Sequence, residues 1–197
     1  MSHLFNAGKN AVKIEYRIIP NEAYRITRNC AGCGEKRDYE STGSFRVNAN
    51  GNKLDIWLIY QCPKCKHTYN LPIYERLRRE TLNESDYRHF IENDVETTLR
   101  FGLDKNIFIR NKAEIASEEV NYEMQKLGGE EPSNSGLIIE IHNPYQLRLR
   151  TEKVLAEILD ISRSKARKML TADSPKYIGS KSIIVLQSEG EFDEPRK

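Results

Sequence analysis

The sequence predicts an α+β chain with an antiparallel β-sheet in its N-terminal part, a helical middle, and a small α/β domain towards the C-terminus. Three observations carry this reading. Short alternating or β-branched runs dominate as far as Tyr74, the apolar period lengthens to that of a helix from Asn83, and a strand from Leu137 to His142 precedes two short amphipathic helices. The expected boundaries are 1–75 for the β domain, 76–136 for the helical segment and a linker loop, 137–190 for the C-terminal domain, and 191–197 for a flexible tail.

Val12 to Ile19 alternates as a strand and ends at Pro20, which has no N–H to give to a ladder. Ala23 to Arg28 reads as a second extended segment. Phe45 to Val47 and Leu54 to Tyr60 are β-rich runs joined by Asn48 to Asn52, whose Asn50-Gly51 pair tolerates the positive φ of a tight turn. His67 to Tyr74 returns as another strand. Ser85-Asp86 is read as the cap of a helix in which Phe90, Ile91, Val95 and Leu99 recur at helical spacing and which Gly102 stops. Lys105 to Leu127 reads as a further helical stretch, and Gly128 to Gly136 as a surface loop. Past Asn143-Pro144, Thr151 to Leu159 puts Val154, Leu155, Ile158 and Leu159 on one face. Ser162 then caps a second helix to about Leu170, with Ala166, Met169 and Leu170 apolar. Separate cores of this kind predict that a fragment from about Leu137 folds by itself.

The chain has four cysteines, and they fall as two pairs, Cys30-Ala-Gly-Cys33 and Cys62-Pro-Lys-Cys65. A two-residue gap lets one tight turn present two thiolates to one ion, and a second such turn completes a tetrahedral shell. The reading is a structural Zn2+ held by Cys30, Cys33, Cys62 and Cys65, which makes the N-terminal sheet a zinc ribbon with no coordination position left open. A redox role for one pair needs a βαβ setting, whereas both pairs here sit at strand turns. A deaminase-type zinc needs an H-x-E upstream, and none exists. His67 is either a substitute ligand or a surface residue of the second turn. Trp57 and Tyr60, just before Cys62, are either a stacking platform or core. His89, Glu92 and Glu96 share one side of their helix and read as an exposed charged face.

At 197 residues with 38% hydrophobic content the chain supports modest cores. It contains no apolar run near membrane-spanning length, and Met1 to Asn10 lacks a secretory signal pattern, so no membrane association and a cytoplasmic location are expected. Net charge is only +2, but its distribution is uneven. Acidic residues gather between Glu114 and Glu131, while Arg148, Arg150, Lys153, Arg163, Lys165, Arg167 and Lys168 concentrate in one later window. Two elements bearing these cations can form one positive patch for phosphates.

The run Arg148-Leu-Arg-Thr-Glu-Lys-Val-Leu-Ala156, followed by Ile161-Ser-Arg-Ser-Lys-Ala-Arg-Lys-Met-Leu170, resembles the helix-turn-helix of the small RNA-binding domain first seen in ribosomal small-subunit protein four, called here the S-four domain. In that family a turn ending in Ser-Arg starts the second helix, and basic residues along it meet structured RNA. The resemblance implicates Arg150, Lys153, Ser162, Arg163, Lys165 and Arg167. Thr151-Glu152 stand about where that family has Asp, and Ser174 to Val185 is a degenerate version of its closing strand and turn. The stretch Phe45-Arg-Val-Asn-Ala-Asn-Gly51 with Leu54-Asp-Ile-Trp-Leu-Ile-Tyr-Gln-Cys62 resembles an uncharacterised bacterial family labelled domain of unknown function 1062. That second resemblance spans most of the chain and implies no activity.

No phosphate-cradling loop, dinucleotide fingerprint, nucleophile elbow or zincin helix is present, so the chain is expected not to be an enzyme. Asp55, His67, Asp86 and His89 are the residues that would have to meet in space for catalysis. The expected function is binding of structured RNA, ribosomal or transfer, with recognition dominated by shape and backbone. The alternatives are a DNA-binding transcriptional regulator whose second helix enters the major groove, and an adaptor that binds a protein partner through the zinc ribbon.

Overall fold

The structure is a computed structural model and describes residues 12–129 and 137–186. Met1 to Asn10, most of the loop expected at Gly128 to Gly136, and the expected tail lie outside the described residues. The fold is α+β. The chain divides into two units, Pro20–Tyr122 and a discontinuous one made of Met1–Ile19 with Glu123–Lys197. These divisions fall elsewhere than the expected boundaries at 75 and 136, because the first strand pairs far along the chain.

In the unit Pro20–Tyr122 the strands are β2 (Ile26–Cys30), β3 (Glu35–Asn50), β4 (Lys53–Gln61), β5 (Thr68–Arg78) and β6 (Glu114–Ile115), ordered β5-β4-β3-β2-β6 in an antiparallel sheet. β4 alternates without a break: Leu54, Ile56, Leu58 and Tyr60 are buried, and Trp57 between them is half-buried. Tyr60 is therefore core and faces away from Trp57. The turn between β3 and β4 uses Gly51 at φ +62°, as the Asn-Gly pair predicts.

The helices of this unit depart from the expected single helix ending at Gly102. α1 (Glu84–Ile91) and α2 (Val95–Gly102) are separate, broken by Asn93 at φ +55°. The reason is local and tertiary together. Asp94 caps α2 by accepting from the Thr97 N–H, and Asn93 Oδ1 accepts from the Phe45 N–H at 2.6 Å, beside the irregularity between Ser41 and Phe45 in β3. Asn83, not Ser85-Asp86, caps α1, taking the Asp86 N–H at 2.7 Å. The break leaves Ile91 and Val95 exposed, while Phe90 packs edge-on against Phe45 at 4.8 Å between centroids. Gly102 lies so close to Ala23 that a Cβ there would stand 2.5 Å from the Ala23 Cβ.

The expected helix from Lys105 to Leu127 is realised only as α3 (Lys105–Arg110). Lys112 at φ +50° ends it, and Tyr122–Gly129 forms β7, where Tyr122 and Met124 alternate with exposed neighbours. Gly128 and Gly129 thus finish a strand. A Cβ on Gly129, whose φ is +107°, would sit 2.2 Å from the Lys13 carbonyl oxygen, so only glycine allows this approach.

In the discontinuous unit, β1 (Val12–Pro20) pairs in parallel with β8 (Leu137–His142), which pairs antiparallel with β9 (Lys181–Leu186), giving the order β7-β1-β8-β9. Ile14, Ile18, Leu137, Ile139 and Ile141 are buried, together with Val154 and Leu155 of α4 (Thr151–Ile158) and Ala166 of α5 (Arg163–Met169). Both helices and the Ser162 cap of α5, which accepts the Lys165 N–H at 3.2 Å, stand where the sequence puts them.

Because β8 sits between β1 and β9, a fragment that starts at Leu137 loses one whole ladder and uncovers a hydrophobic strand edge. Contrary to the sequence expectation, it should show no cooperative melt by circular dichroism. Joining Val12–Ile19 by a flexible linker ahead of residues 123–186 should restore the melt. A sharp transition in the bare fragment would refute this account.

Candidate metal centre and basic surface

The antiparallel pairing of β3 with β4, in which Glu40 faces Gln61, brings the start of one strand beside the end of the other. Both cysteine turns are therefore at the same end of the sheet. In the first, the Cys33 and Gly34 N–H groups donate to the Cys30 carbonyl at 3.2 and 2.8 Å, with Gly34 at φ +72°. In the second, the Lys66 N–H donates to the Cys62 carbonyl at 3.0 Å and the Cys62 N–H to the His67 carbonyl at 2.9 Å, with Lys66 at φ +64°.

The four sulfurs all lie within 4.8 Å of one another, with Cys30 and Cys65 at 3.3 Å and Cys33 and Cys62 at 3.8 Å. These separations are far too long for disulfides, whose S–S bond is about 2.05 Å. They match the edges of a small tetrahedron, since bonds of about 2.3 Å to a central ion put sulfurs roughly 3.8 Å apart. Gly32 makes room for this: a Cβ there would stand 2.8 Å from Cys65 Sγ.

The surroundings suit anionic sulfur. The backbone N–H groups of Cys65 and Lys64 point at the Cys62 sulfur and pull that thiol down. The Tyr39 hydroxyl draws Cys30 down to about 6, whereas burial pushes Cys33 up to about 12. Four touching thiols cannot all ionise unaided, because each negative charge raises the next. A bound cation removes that conflict. Tyr39 Oη and Arg37 Nε are buried donors without a hydrogen bond of ordinary geometry, and they stand beside Cys30 and Cys33 respectively. Donors so placed fit sulfur that carries full negative charge, so the residues present fit a metal ion. His67 is exposed and stands outside the four-sulfur group.

A second group, which no motif in the sequence marks, is Glu15, Glu140 and His142, brought together by the β1–β8 register. Glu140 is buried yet pairs with Lys181 at 2.6 Å and Lys13 at 2.9 Å, and the His142 Nε2 lies 2.9 Å from its carboxylate. Two ammonium groups already occupy its oxygens, so this is an ion-pair network. Hydrogen bonds from Lys181 and Lys13 hold its carboxyl at about 2. Two of the candidate catalytic residues, Asp55 and Asp86, are engaged elsewhere. Asp55 accepts the Arg76 N–H at 2.7 Å, Asp86 accepts from the Asn83 amide at 2.8 Å, and neither these nor His67, His89, Glu92 and Glu96 belong to any close metal-capable group among the described residues.

The cations of the C-terminal region are distributed unequally. The Ile178 N–H donates to the Leu149 carbonyl at 2.9 Å, the Thr151 N–H to the Lys176 carbonyl at 3.2 Å, and Arg150 forms a bridge with Tyr177. Arg148 and Arg150 are thereby held at the Tyr177 ring, 4.9 and 5.7 Å from its centroid. Glu152 binds Arg150 at 3.7 Å and Arg167 of α5 at 3.3 Å, linking the helices. Arg163, Lys165 and Lys168 are exposed on α5, Lys153 is half-buried on α4, and the Ser162 hydroxyl is spent on its cap. Tyr177 was not visible as a site residue in the sequence, since its partners lie almost thirty positions away, as the Arg148–Tyr177 hydrogen bond records.

A family model described as a protein of unknown function, DUF1062, matches residues 47–177, well over half of the chain. The chain belongs to that family. The DUF1062 match includes Cys62, Cys65 and the whole Arg148–Tyr177 cluster, and Cys30 and Cys33 precede it. Neither the curated proteins nor the solved structures contain a match.

Two measurements test these sites. Cys62→Ser should lose bound metal, by elemental analysis, and several kcal/mol of stability, because the binding free energy of a structural metal is folding free energy. Gly32→Ala should weaken metal retention through the clash with Cys65. A Cys62→Ser protein with full metal and an unchanged Tm would sink the site. For Glu140, the folded carboxyl is depressed from 4.5 to about 2, so its stabilisation is complete above about 4.5 and is lost as pH falls towards 2. Denaturant titrations of Glu140→Gln should show lower stability at pH 7 and a smaller loss across that acid window than the parent.

Proposed function

We propose that this chain is a non-enzymatic, zinc-containing protein of the cytoplasm that binds structured RNA, of the ribosomal or transfer class. The observation that carries the reading is the placing of Arg148 and Arg150, from the segment before α4, at the Tyr177 ring, and of Arg167, from α5, at Glu152. Cations fixed on a rigid surface with an aromatic ring between them are what a folded polyanion meets well. The helix pair with its Ser162 cap supports the S-four resemblance as a reading, and Lys153, Arg163, Lys165 and Lys168 extend the positive face.

The metal assignment rests on donor chemistry. Four thiolates in a tetrahedron select zinc or iron, and a closed shell at the end of a sheet suits the redox-inert ion. Cys30, Cys33, Cys62 and Cys65 would hold it, and the ion would supply stability to the two turns, which makes the N-terminal sheet a zinc ribbon. Its role is to position surface.

The test is RNA affinity as a function of salt. Each cation that neutralises a phosphate releases counterions, so replacing Arg148, Arg150 and Arg167 by Gln should lower the slope of log affinity against log salt by about three units in all, with zinc content unchanged. Equal affinity of the parent for duplex DNA of matched length would favour the regulator reading. Absence of salt-sensitive RNA binding would end the RNA reading and leave the adaptor ahead.

A further inference from the structure

We propose that Tyr177 is a base-stacking residue and that the RNA bound here carries an unpaired base at that point. The inference rests on the RNA reading above and adds the form of RNA recognised.

Three cations converge on one ring: the guanidinium carbons of Arg148 and Arg150 lie 4.9 and 5.7 Å from the Tyr177 centroid, and Lys176 Nζ lies 5.8 Å away. Arg148 also donates to the Tyr177 hydroxyl at 3.4 Å. The main chain that carries the ring is held on both sides of it, through the Arg150–Tyr177 bridge, the Ile178 N–H on the Leu149 carbonyl, and the Thr151 hydroxyl on the Pro175 carbonyl. The neighbours on either side differ in fate. Ile178 is buried, Lys176 is exposed and Tyr177 is half-exposed, so the ring is neither core nor free-swinging.

Binding phosphate alone needs no aromatic ring, because lysine and arginine serve that purpose on any solvated face. A ring interleaved with arginines offers π-faces and guanidinium planes, and these are the surfaces on which unpaired RNA bases stack. A regular A-form duplex keeps its bases inside and presents only phosphates and sugars. Besides holding Arg148 and Arg150, the ring can receive a base only where one is splayed out, in a bulge or loop. The flanking cations then hold the phosphates on either side of that base, and a polyanion there relieves the mutual repulsion of charges held around one ring.

The experiment uses the full chain and two RNA hairpins of equal length, one fully paired and one with a single bulged 2-aminopurine. The parent should bind the bulged hairpin about tenfold more tightly, a step within the range of one stacked base, and the 2-aminopurine fluorescence should change on binding. Tyr177→Leu should lose both the preference and the fluorescence change while still binding the paired hairpin with the parent's salt slope. Tyr177→Phe should keep them. Circular dichroism melts of both variants establish that they fold, and if Tyr177→Leu does not, the parent's fluorescence response decides alone. A parent that binds both hairpins equally, or a Leu variant that keeps the preference, overturns the stacking role and leaves the RNA reading standing. A parent that binds neither RNA overturns both.

Discussion

The pairing of β3 with β4 is the constraint on which the candidate metal centre and the core around it depend. It is a long antiparallel ladder, and its geometry does two things at once. It sets Leu54, Ile56, Leu58 and Tyr60 on one buried face, and it lays the start of β3 beside the end of β4 so that the two cysteine turns meet. A slip of one residue would invert the faces of β4 and also carry Cys62 away from Cys30. Burial of the apolar face and closure of the four-sulfur group thus favour the same register, and a bound metal would be one more contribution to it. The same logic explains why glycine is needed at position 32, where sulfur occupies the space that a side chain would take.

The discontinuous unit is organised by a different pairing. β1 lies parallel to β8 across more than a hundred residues of chain, a connection whose cost in chain entropy grows only slowly with length. Apolar residues Ile14, Ile139 and Ile141 cover one face. The other contains Glu140, whose burial as an ion is tolerated only because Lys13 and Lys181 reach it from the strands on both sides. This charge network marks the register of three strands at once, since removing either lysine leaves a buried carboxylate less well matched.

The basic surface is built on the order that these pairings create. Asn143, fully buried, ties the loop before α4 by bonding the Leu147 backbone from both ends of its amide, and the segment from Pro175 to Ile178 lies along Leu149 to Thr151. Arg148 and Arg150 therefore emerge from a braced segment, and Glu152 joins α4 to α5 through Arg167. Cations displayed in this way lose little further freedom on meeting a ligand, which is what distinguishes a preorganised site from a generally basic tail.

Much of the molecule was legible in the order of its residues. Spacing alone singled out Cys30, Cys33, Cys62 and Cys65, because a two-residue gap has few other uses, and Ser162 announced α5 because its hydroxyl acts within three residues of itself. The β-rich runs of β4 and β8 were equally local. What sequence could not settle was set by distant partners. The helix expected from Ser85 to Gly102 breaks at Asn93 because that side chain serves Phe45, forty-eight positions earlier, and Tyr122 to Gly129 is a strand because β1 is there to receive it. Trp57 and Tyr60 looked equivalent until the pleat assigned them to opposite faces, and Tyr177 became a site residue only through the backbone bonds of its neighbours Lys176 and Ile178 to Thr151 and Leu149. Local chemistry, in which a group and its partner lie within a turn of each other, is written in the sequence. Which face is covered, which strand finds which neighbour and which cations share a ring are decided by long-range pairing, which only the tertiary structure displays.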